Sequence, residues 1–86
     1  MNEKAQEIPR SVMADKFIEL ANEFTKSESK ERVGAAIMFA AARYNAFEAF
    51  SKSKDLLKDK NDALNWYSAE YSRMFNANID DLIQMR

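Results

Sequence analysis

The chain has 86 residues, of which 47% are apolar and 31% are charged, so it fits one small globular domain rather than a disordered segment. Thirteen basic residues oppose 14 acidic ones, and this balance lacks the excess positive charge that nucleic-acid binding requires. Cysteine and histidine are both absent, which excludes disulfides, thiolate nucleophiles, imidazole bases and the usual zinc ligands.

Turn-forming residues are scarce, since Gly34 and Pro9 are the single glycine and proline. Many short strands would need more turns, so the sequence predicts a few long helices and an all-α fold. Residues 1–10 are polar and lack the apolar region of a secretory signal. We therefore expect a flexible N-terminal tail at 1–10, followed by a single helical domain at 11–86.

The longest apolar run is residues 33–42, about half of the ~20 residues that a membrane-spanning helix needs. We therefore predict a protein that does not span a membrane. The absence of cysteine permits a reducing compartment, and we expect the cytoplasm.

The first predicted helix runs from about Ser11 to Lys26. Its apolar residues recur at helical spacing and form one face: Met13, Phe17, Leu20, Ala21 and Phe24. The hydroxyl of Ser11 is suited to accept from an unpaired amide of the first turn. Ser11 is therefore the predicted N-cap.

The second predicted helix begins at an N-cap on Ser29 and runs to about Ser51. One side carries a large-residue stripe of Val33, Ile37, Ala40, Tyr44 and Phe47. The opposite side carries an alanine stripe of Ala35, Ala42, Ala46 and Ala49. A helix that is apolar on both sides is predicted to be central, with its exposed edge at Met38, Asn45 and Glu48.

Residues 51–61 alternate in charge and are predicted to be a connection, with Asp59 or Asn61 capping the third helix. The apolar stripe of that helix contains Ala63, Leu64, Tyr67, Tyr71, Met74 and Phe75. We expect it to end near Asn76, and Asn78 to open a last short helix. Short connections favour antiparallel neighbours, so the predicted fold is an antiparallel three-helix bundle with a short C-terminal helical turn.

No set of residues suited to catalysis stands out. A single glycine cannot form the loop that binds nucleotide phosphates. Two pairs of carboxylates, Asp80 with Asp81 and Asp55 with Asp59, lack the spacing of a calcium loop and are typical of solvated helix starts. We therefore predict no enzyme activity, no cofactor and no metal site.

Arg43 is the only charge in the middle of the second helix. A charge inside an apolar helix usually has a partner, and we expect an ion pair with Glu70, Asp80 or Asp81, the alternative being contact with a ligand or partner protein.

Trp66 lies outside the apolar stripe of the third helix, on a side shared with Glu70 and Arg73. It either covers a neighbouring loop or anchors an interface. The alanine stripe permits the close approach of another helix, which belongs to the same chain or to a second copy. The residues predicted to bind a partner are Trp66, Arg43, Tyr44, Asn45, Ala42, Ala46 and Ala49.

Several segments carry a resemblance to a known family. Residues 14–22 (ADKFIELAN), 40–47 (AAARYNAF), 71–75 (YSRMF) and 78–81 (NIDD) resemble a family of short bacterial proteins called domain of unknown function 3144. The resemblance covers nearly the whole chain after the tail. It implies bacterial origin, a helical fold and no assigned activity, and it supplies no functional residues.

The leading hypothesis is a non-catalytic module that associates with itself, as a dimer, or with another protein. The alternative is a module that binds a small molecule or lipid in a pocket around Arg43 and Tyr44, where the guanidinium would orient an acidic ligand. Nucleic acid is not an expected partner.

Overall fold

A computed structural model describes residues 7–86 and contains three α-helices. They are α1 (Arg10–Phe24), α2 (Lys30–Lys52) and α3 (Leu56–Met85). No strand occurs among residues 7–86, so the predicted all-α class is confirmed. Of the predicted tail, residues 1–6 lie outside the described residues, residues 7–9 are not helical, and Arg10 already belongs to α1.

The first helix begins at a proline rather than at the predicted serine. Pro9 is the N-cap, and its carbonyl oxygen accepts from the amides of Val12 at 3.0 Å and Met13 at 3.2 Å. Proline has no amide hydrogen to lose and a φ suited to a helix start, so the helix can form directly after it. Ser11 therefore lies inside the first turn, and its assignment as the cap is wrong.

The second helix begins as the sequence predicts. Ser29 Oγ accepts from the backbone amide of Arg32 at 3.1 Å, which is the bond of an N-cap. Glu28, which precedes the helix, forms an ion pair with the same arginine at 2.7 Å and so links the preceding turn to the first turn of α2. The prediction of a cap at Ser29 is confirmed.

The connection between α2 and α3 is only three residues long, so the prediction that α3 starts after Asp59 or Asn61 is wrong. Asp55 is the N-cap, and its Oδ1 accepts from the amide of Lys58 at 3.3 Å. Ser53 Oγ accepts from the amide of Asp55 at 3.1 Å and donates to Asp59 Oδ2 at 2.7 Å. These bonds pair the free amides of the first turn of α3, so the helix begins at Leu56, within the segment whose alternating charge predicts a connection.

The third helix continues without interruption to Met85, so the predicted end near Asn76 and the separate C-terminal turn are wrong. Asn78 Nδ2 donates to the carbonyl oxygen of Met74 at 2.8 Å. Its side chain thus bonds back to the preceding turn instead of capping a new helix. The result is a 30-residue helix.

The chain divides into two compact units, the first ending at Ala41 and the second spanning Ala42–Arg86. In the first unit, Ala21 of α1 and Val33 of α2 are the buried hydrophobic residues among those described. In the second unit no described residue is fully buried, and the half-buried positions of α3 end at Glu70. Each residue from Tyr71 to Arg86 is exposed.

Candidate functional site

A hydrogen-bonded cluster joins α2 to α3 in the second unit. The hydroxyl of Tyr67 donates to Glu48 Oε1 at 3.0 Å, and Asn45 Nδ2 donates to the same oxygen at 3.2 Å. Lys52 lies 3.5 Å from the other carboxylate oxygen. Asn45 and Glu48 are half-buried by this contact, so the prediction that they form an exposed edge is wrong, whereas Met38 is exposed as predicted.

This cluster shifts the protonation of both ionisable partners. The hydrogen bond from Tyr67, followed by that from Asn45, lowers the pKa of the Glu48 carboxyl below its ordinary value. Loss of water contact, followed by the hydrogen bond to Glu48, raises the pKa of the Tyr67 hydroxyl. At neutral pH the carboxylate therefore stays charged and the phenol stays protonated.

A shallow groove lies beside this cluster. Its volume is about 300 Å³, and its walls are formed by Ala49, Lys52, Ser53, Leu56, Asp59, Ala63, Trp66 and Tyr67. The indole of Trp66 meets the ring of Tyr67 edge to face, with centroids 5.0 Å apart, and is 60% exposed. Two of the lining residues are alanines, whose side chains are short. They leave room for an apolar group to reach the exposed indole.

Two of the predicted partner-binding residues, Trp66 and Ala49, come together in this groove. Ala42 and Ala46 are exposed and do not line it, so the alanine stripe is divided between two environments. Arg43 and Tyr44 are exposed on α2, and Tyr44 is 71% exposed. Glu70, one of the ion-pair partners proposed for Arg43, pairs with Arg73 at 2.6 Å, and the ion pair of Arg43 itself stays a prediction.

An exposed apolar surface of the second unit lies on α3, where the sequence indicates a core stripe. We call this surface the α3 face. It consists of Leu64, Tyr71, Met74, Phe75, Leu82 and Met85. Their exposed fractions run from 43% at Met74 to 80% at Met85.

The rings of Tyr71 and Phe75 stack on this surface, with centroids 5.9 Å apart. Because the sequence predicts a break near Asn76, Leu82 and Met85 are not assigned to the same face as Tyr71 and Phe75. Their seven-residue spacing from Phe75 and Asn78 was the signal in the sequence that would have included them.

The described residues offer little for other kinds of site. No three acidic side chains of residues 7–86 gather closely enough to hold a metal ion. Within the same residues, no helix is both long and apolar enough to cross a membrane.

The model of a family described as protein of unknown function, DUF3144, matches residues 12–83. No curated protein and no solved structure matches the chain.

Proposed function

The chain belongs to the DUF3144 family of proteins of unknown function, and we propose that it is a non-catalytic protein-interaction module of the bacterial cytoplasm. It associates by covering apolar helix faces that the chain itself leaves open to water. The proposed contact is made by the residues of the α3 face, and Trp66 adds an exposed aromatic on the other side of the same helix.

The observation that carries the proposal is the imbalance between exposed and buried apolar side chains. Among the described residues, 23 large hydrophobic side chains are exposed, whereas Ala21 and Val33 are the buried hydrophobics. Apolar surface left in water forgoes about 25 cal/mol per Å² of stabilisation. Monomeric soluble proteins rarely expose contiguous apolar patches beyond a few hundred Å², and larger patches mark interaction sites. A partner that covers these faces supplies the missing burial.

The ionisable groups of the site support a binding role over a catalytic one. A general acid or base works best when its pKa lies near the operating pH. The hydrogen bond from Tyr67 lowers the pKa of Glu48, and loss of water contact, followed by the same bond, raises the pKa of Tyr67, so both pKa values lie further from neutrality. The cluster therefore holds its protons in place, which suits a structural contact between helices.

The proposal is tested by measuring molar mass by light scattering across protein concentrations, together with the fluorescence of a dye that binds exposed apolar surface. We expect either a mass above that of one chain or a single chain that binds the dye. A single chain that leaves the dye dark at all concentrations would contradict the proposal, because its apolar faces would then be closed within one molecule.

Binding of a small molecule is the second candidate, favoured by the groove beside Trp66. Its volume is at the lower end of the roughly 300–1,000 Å³ of ligand pockets, and Lys52 supplies one cation at its wall. The groove supports Trp66 as the residue to test for this candidate, while the pocket expected around Arg43 and Tyr44 stays a prediction. Titration of Trp66 fluorescence with a panel of aromatic carboxylates tests it, and an unchanged spectrum throughout would count against it.

A further inference from the structure

The C-terminal half of α3 is a regular, exposed, apolar helix surface. At 100° per residue the six members of the α3 face fall within an arc of about 100°. Leu64, Tyr71 and Met85 are separated by multiples of seven residues, with Asn78 at the third of the four positions in that series. A seven-residue repeat of this kind is the pattern by which one helix packs along another.

The exposed area of this face approaches the lower range of dimer interfaces. Leu64 has no counterpart up to Arg86 in the register given below, so the other five residues form the contact. With about 200 Å² for a fully exposed large side chain, their exposed fractions give roughly 570 Å² per chain. Interfaces of standard size bury about 600–1,000 Å² on each partner.

The charges on this part of α3 permit a second copy as the partner. Between Tyr71 and Arg86 two arginines, Arg73 and Arg86, balance Asp80 and Asp81, so two copies bring no net repulsion to the contact. Asn78 lies within the arc of the face, and its Nδ2 donates to the carbonyl oxygen of Met74 in the same helix, so this bond does not depend on the second copy.

Asp81 decides the direction of pairing. It lies at the edge of the α3 face, so a parallel pair in register would place two carboxylates at the same level. In an antiparallel pair that sets Tyr71 of one copy level with Leu82 of the other, the two Asp81 residues lie about 13 Å apart along the axis. That separation exceeds the screening length of about 8–10 Å at physiological salt.

We propose that two copies of this chain pair through the α3 face, with their α3 helices antiparallel and Tyr71 of each copy level with Leu82 of the other. The inference rests on the proposed function and names a second copy as the partner. The contact between the two copies is two-fold symmetric, so both Tyr71–Leu82 pairs form together.

The first experiment measures mass by light scattering for the full chain and for Phe75→Glu. The control is Asn76→Glu, which adds the same charge to the opposite side of the same helix. We expect dimers for the unmodified chain and the control, and a dissociation constant raised roughly 100-fold by Phe75→Glu, since a large apolar contact is lost. Circular dichroism checks that each variant is helical, and Leu82→Glu replaces Phe75→Glu if the latter does not fold.

The second experiment uses the absence of cysteine from the chain. Tyr71→Cys and Leu82→Cys proteins are mixed in equal amounts and oxidised. Antiparallel pairing gives the mixed disulfide in excess of the statistical share. Excess disulfide between two Tyr71→Cys chains would overturn the proposal, because it requires parallel helices.

The outcomes separate this inference from the proposed function. A single chain that binds the apolar dye overturns the pairing of two copies and leaves the interaction module intact. A single chain that does not bind the dye contradicts both. A dimer that Phe75→Glu leaves unchanged overturns the α3 face as the contact.

Discussion

Replacement of Gly34 by alanine should stabilise the protein. Gly34 lies in α2, has an ordinary helical backbone, and a methyl group built there meets no atom within 4 Å. The substitution therefore gains helix propensity without a clash. Glycine inside a helix costs about 0.5–1 kcal/mol relative to alanine, partly because the unfolded chain has more freedom to lose.

The gain should be visible in thermal unfolding. For a domain of this size, 1 kcal/mol corresponds to a shift of roughly 4–8 °C in Tm, so we expect Gly34→Ala to raise Tm by about 2–8 °C. The measurement is ellipticity at 222 nm against temperature, at one fixed protein concentration. The matched control is Ala35→Gly, at the next and exposed position of the same helix, which should lower Tm by a similar amount.

A lower Tm for Gly34→Ala would refute the reasoning. The open space at Gly34 would then be filled in solution, for example by a helix of a second molecule. A repeat at tenfold lower concentration identifies this case, since destabilisation by a lost intermolecular contact fades when the contact is absent.

Three further predictions concern the cap, the cluster and the groove. Ser29→Ala should lower the free energy of unfolding by about 1 kcal/mol in denaturant titrations because it removes the cap of α2, whereas Ser27→Ala, which removes no cap, should change it little. The pKa of Glu48 is lowered in the folded protein, so this group stabilises the fold above pH 4.5, and the stabilisation is lost as pH falls through the pKa of the folded state. The pKa of Tyr67 is raised in the folded protein, so this group stabilises the fold below pH 10, and the stabilisation is lost as pH rises above 10. Tyr67→Phe should therefore flatten both limbs of a plot of denaturant midpoint against pH, and unchanged limbs would contradict the shared hydrogen bond. The single tryptophan, Trp66, should be quenched efficiently by acrylamide at low protein concentration, and strong protection there would show that the groove is already covered.

The sequence predicts the helical class and the number of main helices because both follow from local properties. The scarcity of turn residues, the spacing of apolar residues and the capping serine at Ser29 act within a few residues of each other. The start of α3 was missed because Asp55 and Asp59 compete for the same role. Only the bond from Ser53 to Asp59 leaves Asp55 as the cap.

The site was predicted in part. Trp66 and Ala49 come together as members of the predicted set, and Trp66 is exposed as an aromatic outside the core stripe should be. The contact of Glu48 with α3 could not be derived, because it depends on Tyr67 reaching this carboxylate across 19 positions of sequence. The exposure of the α3 face was not predictable either, since periodicity shows which residues share a side and not whether anything covers it.

The three-residue connection before α3 limits where the chain accepts change. Exposed loops usually tolerate insertions, tags and cleavage sites. Here the loop and first turn are fastened by Ser53, Asp55 and Asp59, whose bonds of 2.7–3.3 Å depend on a fixed spacing. One added residue would separate the cap from the turn that it serves.

The turn at 25–29 is fastened in the same way, since Ser29 caps α2 and the amides of Ser27 and Glu28 donate to the carbonyl oxygen of Phe24 at 3.1 and 2.9 Å. A label or affinity tag therefore belongs before α1.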